Sequence, residues 1–270
     1  MRPPRCRTAG GALRHAFAAH DVQDDWKDAG MIAPWEDLPG DPATGLLLIA
    51  DHASNRVPEG ISLGVPPEIM DEHVAIDIGV APLGRALCER LGMAGVLGNV
   101  SRLVIDLNRE PDAAGLIPEV SDGHTIPGNQ GLDEVGRQRR LHDFWMPYHD
   151  RVAEMIAANA PKLLISLHSF TPSLREGASA RPWEVGVLYN QDERAARIAI
   201  PLLQAAGVIT GDNQPYSGKV LNATMNRHGE ENGIAYLGLE VRQDLIGDES
   251  GVAQWCARLV PIIAAAARAL

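Results

Sequence analysis

Cysteine is scarce in this sequence, which has three cysteines among 270 residues: Cys6, Cys88 and Cys256. They lie far apart, no two of them form a Cys-x-x-Cys pair, and their number is odd. Such a set argues against a disulfide framework and against a thiolate zinc site. We therefore expect a protein of a reducing compartment, the cytoplasm.

Positive charge is also in short supply, with 24 Lys and Arg against 35 Asp and Glu and a net charge of -11. An acidic chain without clustered basic residues argues against nucleic-acid binding. A small anionic substrate remains compatible with this charge. A few arginines inside a pocket outweigh a surface charge that salt screens over about 10 Å.

Long apolar runs are missing too. No stretch of 18 apolar residues occurs, so we predict no membrane span. The N-terminal segment is basic and then acidic and lacks the apolar core of a secretory signal. The sequence does not decide the oligomeric state, and a homo-oligomer stays open.

Hydrophobic residues make up 45% of the chain and charged residues 22%, which is typical of a globular protein with a substantial core. Residues 1–40 are rich in Ala, Gly, Pro and charge and have weak periodicity, which predicts a poorly ordered N-terminal extension. Residues 41–270 are predicted to form a single domain.

Short apolar runs alternate with amphipathic segments from residue 46 onward. Strands are predicted at 46–50, 94–97, 103–107, 163–167, 185–189 and 236–241. Helices are predicted at 71–91, 133–159, 193–206 and 251–270. Continuous apolar strands that alternate with helices indicate an α/β sheet covered on both faces.

Polar side chains stand where these strands end, and ligands of open α/β sheets bind at the carboxyl ends of strands. The first predicted strand runs into Asp51 and His52, and the run LLISLHS delivers His168. Two imidazoles and one carboxylate form a three-ligand site with an open position, as in catalytic zinc sites. We favour Asp77, on the predicted helix 71–91, as the third ligand, and Asn55 is the alternative by spacing. Asp51 is expected to orient an imidazole rather than bind the metal.

A general base is also needed, and Glu240, late in the last predicted strand, is the candidate. The alternative for Glu240 is a salt bridge with Arg242, which shares its face of the strand. Gly60-Ile-Ser62-Leu-Gly64 matches the nucleophile motif of serine hydrolases, but no apolar strand precedes it, so Ser62 is not expected to be a nucleophile.

Six blocks of the sequence together resemble the N-formylglutamate amidohydrolase family. They are DHASN, HVAIDIG, SRLVIDLNR, RLHDFWMPYH, LISLHSF and LGLEVRQD, and the resemblance covers roughly residues 45–265. It implies a three-layer αβα fold with a mixed, mostly parallel sheet, similar to that of the zinc carboxypeptidases. It also implies one zinc ion per chain. The implied reaction is hydrolysis of an N-acyl amino acid, such as N-formylglutamate, to formate and the amino acid.

The resemblance also implies roles for individual residues. His52 and His168 would bind zinc, and Glu240 would act as the base. Asn108 and Arg109 would clamp the substrate carboxylate. Tyr216, in the loop PYSG, would close over the substrate. Asn55 stands where the carboxypeptidase pattern has a glutamate ligand, which is why Asp77 comes forward as the third ligand.

Arg102 is a second candidate for binding a substrate carboxylate, and its alternative is an ion pair with Asp106. Asp106, like Asp51, is expected to support a metal ligand. Two other functions remain open at this point. One is a different carboxypeptidase-like N-acyl hydrolase, and the other is a non-catalytic binding protein without metal.

Overall fold

The apolar runs form a seven-stranded sheet. The computed structural model describes residues 32–175 and 181–270. The strands of this sheet are β1 (Trp35–Leu38), β2 (Leu46–Ala50), β3 (Ala94–Gly98), β6 (Leu163–Phe170), β7 (Val185–Leu188), β8 (Thr210–Asp212) and β9 (Ala235–Arg242). A separate hairpin contains β4 (Val120–Ser121) and β5 (His124–Thr125).

The strand order across the sheet is β1-β3-β2-β6-β9-β7-β8, and parallel pairing predominates. β3, β2, β6 and β9 pair in parallel in that order, as do β7 and β8. β1 joins β3 and β7 joins β9 in antiparallel fashion. The carboxyl ends of β2, β6 and β9 therefore meet at one edge, with His168 of β6 directly opposite Glu240 of β9.

Helices cover both faces of the sheet and complete three layers. The helices are α1 (Val80–Leu91), α2 (Glu134–Arg140), α3 (Met146–Asn159), α4 (Arg194–Ala205), α5 (Ala223–His228) and α6 (Glu249–Ala269). α1 and α4 pack against the sheet and against α6, whereas α3 packs against β2, β3 and α5. The predicted α/β fold with a mixed, mostly parallel sheet is confirmed.

Helix α6 is long and apolar enough, by length and composition alone, to cross a membrane. Its side chains Trp255, Leu259 and Ile263 are nevertheless fully buried, and the helix packs against α1 and α4. Its apolar face therefore belongs to the core of this domain.

The predicted strand at 103–107 is wrong. The chain turns there instead, with the amide groups of Val104 and Ile105 both donating to the carbonyl of Ser101. Leu103, Val104 and Ile105 are fully buried nonetheless. The apolar composition of this run reflects its burial, and burial alone does not distinguish a strand from a packed loop.

The predicted helix at 71–91 begins later than expected, at Val80. Gly79, just before it, adopts a left-handed conformation with φ 81°. A Cβ atom at this position would lie 2.2 Å from the carbonyl oxygen of Ile246, so close packing also requires glycine here. Asp77 consequently lies on a turn before α1, and its amide group donates to the carbonyl of His52 at 3.0 Å.

The predicted N-terminal extension, residues 1–40, includes strand β1, which pairs along the edge of the sheet from Trp35 to Leu38. Residues 1–31, with Cys6, lie outside the described residues. Cys88 and Cys256 are free thiols buried in the core.

Candidate active site

A pocket of about 170 Å³ opens at the carboxyl ends of β2, β6 and β9. Pockets for drug-sized ligands span roughly 300–1,000 Å³, so this one suits a small molecule. Every residue predicted for the site lines the pocket except Asp51, which is fully buried.

Three potential metal ligands, His52, Asp77 and His168, meet in this pocket. One donor atom from each lies within 4.8 Å of the other two. Asp77 Oδ2 is 3.4 Å from His52 Nδ1 and 3.0 Å from His168 Nδ1. The side chains of all three are almost completely buried. The structure thus brings the predicted trio together through the Nδ1 atom of each imidazole.

Asn55 does not join this cluster. Its amide group donates to the carbonyl of Met70 at 2.9 Å and to Asp71 Oδ1 at 3.2 Å. These bonds join the loop after β2 to the short 3-10 helix Pro67–Asp71. Of the two candidates for third ligand, only Asp77 lies among the donors.

A carboxylate stands beside the outer nitrogen of each imidazole. His52 Nε2 is 2.7 Å from Asp106 Oδ1, and His168 Nε2 is 3.4 Å from Asp51 Oδ2. Carboxylates in this position fix the ring orientation and tautomer of metal-ligating histidines. With Nε2 protonated toward the carboxylate, each Nδ1 is left facing the cluster as a donor atom.

The carboxylates make the cluster favourable for positive charge. Burial by itself would lower the pKa of His52 and His168, but the surrounding aspartates outweigh it and raise both. Burial would raise the pKa of Asp77, but the charge of His52 and the hydrogen bond from His168 hold it well below its usual range. A cation bound here would replace the protons on the imidazoles.

Asp51 is held by two residues that the sequence did not mark. Tyr148 donates to Asp51 Oδ1 at 2.8 Å and Thr224 donates to the same oxygen at 3.0 Å. Burial, together with the charge of Asp51, raises the pKa of Tyr148, so its phenol stays a donor. The two bonds leave Asp51 Oδ2 directed at His168.

Glu240 faces the cluster from β9 as predicted. It does not pair with Arg242, which instead binds Asp244 at 2.7 Å. Glu240 is buried, and its Oε2 atom has no hydrogen-bond partner. Burial, and the nearby charge of Asp77, raise the pKa of Glu240 to about 7. A carboxyl group with this pKa both accepts and donates a proton near neutral pH.

Arg102 and Arg109, the two arginines that line the pocket, differ in the hydrogen bonds that their side chains make. Arg102 donates to Asp77 Oδ1 at 2.9 Å and to Asp106 Oδ2 at 3.0 Å, so both of its terminal nitrogens hold carboxylates. The side chain of Arg109 makes no hydrogen bond within the described residues, and its closest charge is Asp106, at 3.8 Å. The ion pair weighed as the alternative for Arg102 is present. Arg109 has its guanidinium available for a ligand.

Asn108 and Arg109 are positioned through the backbone and through α5. The side-chain oxygen of Asn108 accepts from the amide of Thr224 at 3.0 Å, and the indole of Trp145 donates to the carbonyl of Arg109 at 3.0 Å. Trp145 ends a wide π-helical turn, Leu141–Trp145, between α2 and α3. Such turns occur frequently at functional sites.

A buried histidine pair lies next to this region. His149 Nε2 donates to the carbonyl of Leu107 at 3.0 Å, and its Nδ1 lies 2.9 Å from His228 Nε2. Both rings are neutral in this arrangement. Burial lowers the pKa of His149 to about 3 and that of His228 to about 4.

We expect this pair to make the free energy of unfolding fall as the pH is lowered from 6.5 to about 4. The unfolded chain protonates its histidines near pH 6.5, whereas the folded pair stays neutral, so the unfolded state binds more protons in this window. Each histidine contributes a slope of about 1.4 kcal/mol per pH unit.

Urea unfolding of the wild type and of His149→Gln between pH 7 and 4.5 measures this slope of the unfolding free energy against pH, which the variant should reduce. The matched control is His142→Gln, because His142 is exposed on the same helical stretch. Equal slopes in wild type and His149→Gln would refute the assignment.

Known proteins share both the sequence pattern and the fold. A family model for N-formylglutamate amidohydrolase matches residues 44–247. The crystal structure of gene product Atu2144 from Agrobacterium tumefaciens is 31% identical with a TM-score of 0.80, over 87% of this chain and 95% of that one. N-formylglutamate amidohydrolase from Ralstonia eutropha JMP134 is 21% identical with a TM-score of 0.67, over 88% and 99% of the two chains, and shows the same fold. No curated protein sequence matches at a significant level.

Proposed function

The chain belongs to the N-formylglutamate amidohydrolase family, and we propose that it uses zinc to hydrolyse an N-formyl amino acid such as N-formylglutamate. Family membership makes it a hydrolase of linear amide bonds. The observation that carries the finer proposal is the meeting of His52, Asp77 and His168 in one pocket with Glu240 and with Arg109, whose side chain makes no hydrogen bond within the described residues.

The donor set fits zinc. Two imidazole nitrogens and one carboxylate oxygen are the ligands of many catalytic zinc sites, which keep a fourth position for water or substrate. The raised pKa values of His52 and His168 support the same assignment, since they reflect a cluster that favours positive charge. Zinc there would lower the pKa of a water molecule to about 7 and polarise a carbonyl oxygen.

Glu240 supplies the proton transfers in this mechanism. It accepts a proton from the attacking water and returns it to the nitrogen of the departing amine, so the products are formate and a free amino acid. The raised pKa of Glu240 suits both steps. Its position opposite His168 in the sheet puts the base beside the ligand cluster.

Asn108 and Arg109 orient the substrate in this mechanism. The planar guanidinium of arginine binds a carboxylate through two parallel hydrogen bonds. Arg109 is available for this because its side chain has no hydrogen-bond partner within the described residues. Arg102 instead fixes Asp77 and Asp106 and brings its positive charge to the pocket wall.

We also propose that the enzyme works in the cytoplasm. The free, buried thiols of Cys88 and Cys256 support this, because they suit a reducing compartment.

A hydrolysis screen tests the proposed function. The substrates are N-formyl, N-acetyl and N-succinyl derivatives of acidic and neutral amino acids, and the readout is release of the free amine. We expect the N-formyl compounds to have the highest kcat/KM, by roughly tenfold or more over N-acetyl, which is what one extra methyl group costs in a fitted pocket. Equal or faster cleavage of the N-acetyl series, or no cleavage of any N-formyl compound, would contradict the proposal.

A further inference from the structure

Two hydroxyl groups from different helices meet at one oxygen of Asp51. Tyr148 of α3 donates to Asp51 Oδ1 at 2.8 Å, and Thr224 of α5 donates to the same atom at 3.0 Å. All three side chains are fully buried, so solvent does not compete for these bonds. Hydrogen bonds to an ionised acceptor are stronger than those between neutral groups. The two hydroxyls therefore fix the direction in which the second oxygen of Asp51 points.

That second oxygen faces the metal cluster. Asp51 Oδ2 lies 3.4 Å from His168 Nε2, and within the described residues both atoms are buried without a hydrogen-bond partner. Each atom thus depends on the other for compensation of its burial. The support of His52 is built differently, because its carboxylate partner, Asp106, is itself held by the guanidinium of Arg102 at 3.0 Å. For Asp51, the corresponding support comes from the two hydroxyls.

The backbone of Thr224 is anchored independently of its hydroxyl. Its amide group donates to Asn108 Oδ1 at 3.0 Å, and Asn108 lines the pocket. The hydroxyl also lies 3.5 Å from the carbonyl of Leu107, which accepts a bond from His149 in any case. A change of the Thr224 side chain therefore removes the bond to Asp51 without removing the amide that fixes the start of α5.

We propose that Thr224 and Tyr148 are positioning residues for the metal cluster and set its affinity for zinc. Their hydroxyls hold Asp51 in the orientation in which it supports the imidazole of His168, so the cluster is arranged before the ion arrives. Both residues act through Asp51, and neither is one of the ligands. The inference rests on the proposed function, because it takes zinc as the ion that the cluster binds.

Two nearly isosteric substitutions of Thr224 test the proposal. Thr224→Val lacks the hydroxyl, and Thr224→Ser keeps it. The apoprotein of each is titrated with zinc against a competing chelator. Thr224→Val should weaken zinc binding by about tenfold, the lower end of the range for groups behind a metal ligand, because Tyr148 still holds Asp51. Thr224→Ser should stay within about threefold of the wild type, a change below about 0.7 kcal/mol.

Tyr148→Phe is the corresponding test on α3 and should also weaken zinc binding by about tenfold. Its matched control is Tyr236→Phe. Tyr236 is likewise buried, but its hydroxyl donates to Glu230 at 2.9 Å rather than to Asp51. Tyr236→Phe should bind zinc as tightly as the wild type.

A double-mutant cycle with Asp51→Asn separates positioning from a general loosening of α5. If the hydroxyl acts through Asp51, adding Thr224→Val to Asp51→Asn should weaken zinc binding by less than about twofold, within the error of additive effects. A general loosening would instead cost the same factor in both backgrounds. Circular dichroism checks that each apoprotein is folded. If Asp51→Asn does not fold, the contrast between Thr224→Val and Thr224→Ser decides.

The outcomes distinguish this inference from the proposed function. Zinc binding by the wild type together with equal affinity in Thr224→Val would overturn the positioning role and leave the proposed function standing. A Thr224→Ser variant as weak as Thr224→Val, or an additive cycle, would also overturn it. A wild type that binds no zinc would overturn the proposed metal site and this inference with it.

Discussion

Replacement of Glu240 by glutamine is expected to lower kcat by roughly 10²- to 10⁴-fold, the scale of losing a general base. The amide has nearly the same shape as the carboxyl group but neither accepts the proton of water nor returns it to the leaving nitrogen. Glu240 is buried and its Oε2 has no hydrogen-bond partner within the described residues, so the substitution breaks no hydrogen bond of that oxygen. Steady-state release of the amino acid from the best substrate measures the effect.

Zinc content is the companion readout for this variant, because Glu240 is not among the three ligands. Glu240→Gln should therefore bind as much zinc as the wild type. Glu184→Gln, which changes a carboxylate outside the pocket in the same way, is the matched control and should keep full activity. Turnover of Glu240→Gln within tenfold of wild type would contradict the role of Glu240 as the base.

The second large effect is expected at Asp77. Asp77→Asn replaces the anionic donor of the cluster with a neutral amide, which is a much poorer zinc ligand. Loss of a residue that only orients a ligating histidine costs roughly 10- to 100-fold in metal affinity, and loss of a ligand should cost more. Titration of the apoprotein with zinc, monitored by a competing chelator, measures the affinity.

Asn55→Ala is the control for Asp77→Asn, because Asn55 was the other candidate for third ligand. Its side chain bonds to Met70 and Asp71, so this variant should bind zinc as tightly as the wild type. Asp77 is also paired with Arg102, and a buried charge that loses its partner is destabilising. Circular dichroism of the Asp77→Asn variant before titration therefore has to show a folded chain. Weaker zinc binding in Asn55→Ala than in Asp77→Asn would reverse the assignment.

Most of the sheet could be predicted from sequence because parallel strands are buried on both faces. The run at Leu46–Ala50 is apolar at every position, and the strand occupies these same residues. The predicted strands 163–167 and 236–241 lie within β6 and β9. β6 extends beyond its prediction at one end and β9 at both ends. Continuous burial leaves a continuous apolar signature, and that signature was present in the sequence.

The same continuous apolar pattern led to the wrong prediction of a strand at residues 103–107. Those residues are as deeply buried as a strand, but the amide groups of Val104 and Ile105 bond to the carbonyl of Ser101 in a local turn, and that of Asp106 bonds to the carbonyl of Leu116. The segment nevertheless carries Asp106, Asn108 and Arg109 to the pocket, as a loop rather than as the end of a strand. The three predicted residues therefore reach the pocket although the strand predicted to carry them is absent.

The parts of the site that the sequence did not reveal depend on distant contacts. Asp51 is separated by 97 residues from Tyr148 and by 173 from Thr224, and no local pattern links such residues. The two histidines at strand ends were recognisable because strand ends have a known geometry.

Zinc content per chain tests the central claim most directly. The protein is purified from zinc-supplemented cells, dialysed against metal-free buffer and analysed for metal, with the wild type beside the double variant His52→Ala plus His168→Ala. The cluster of His52, Asp77 and His168 predicts about one zinc per chain in the wild type and none in the folded double variant. Equal zinc in the two proteins would contradict the assignment of the metal to this cluster.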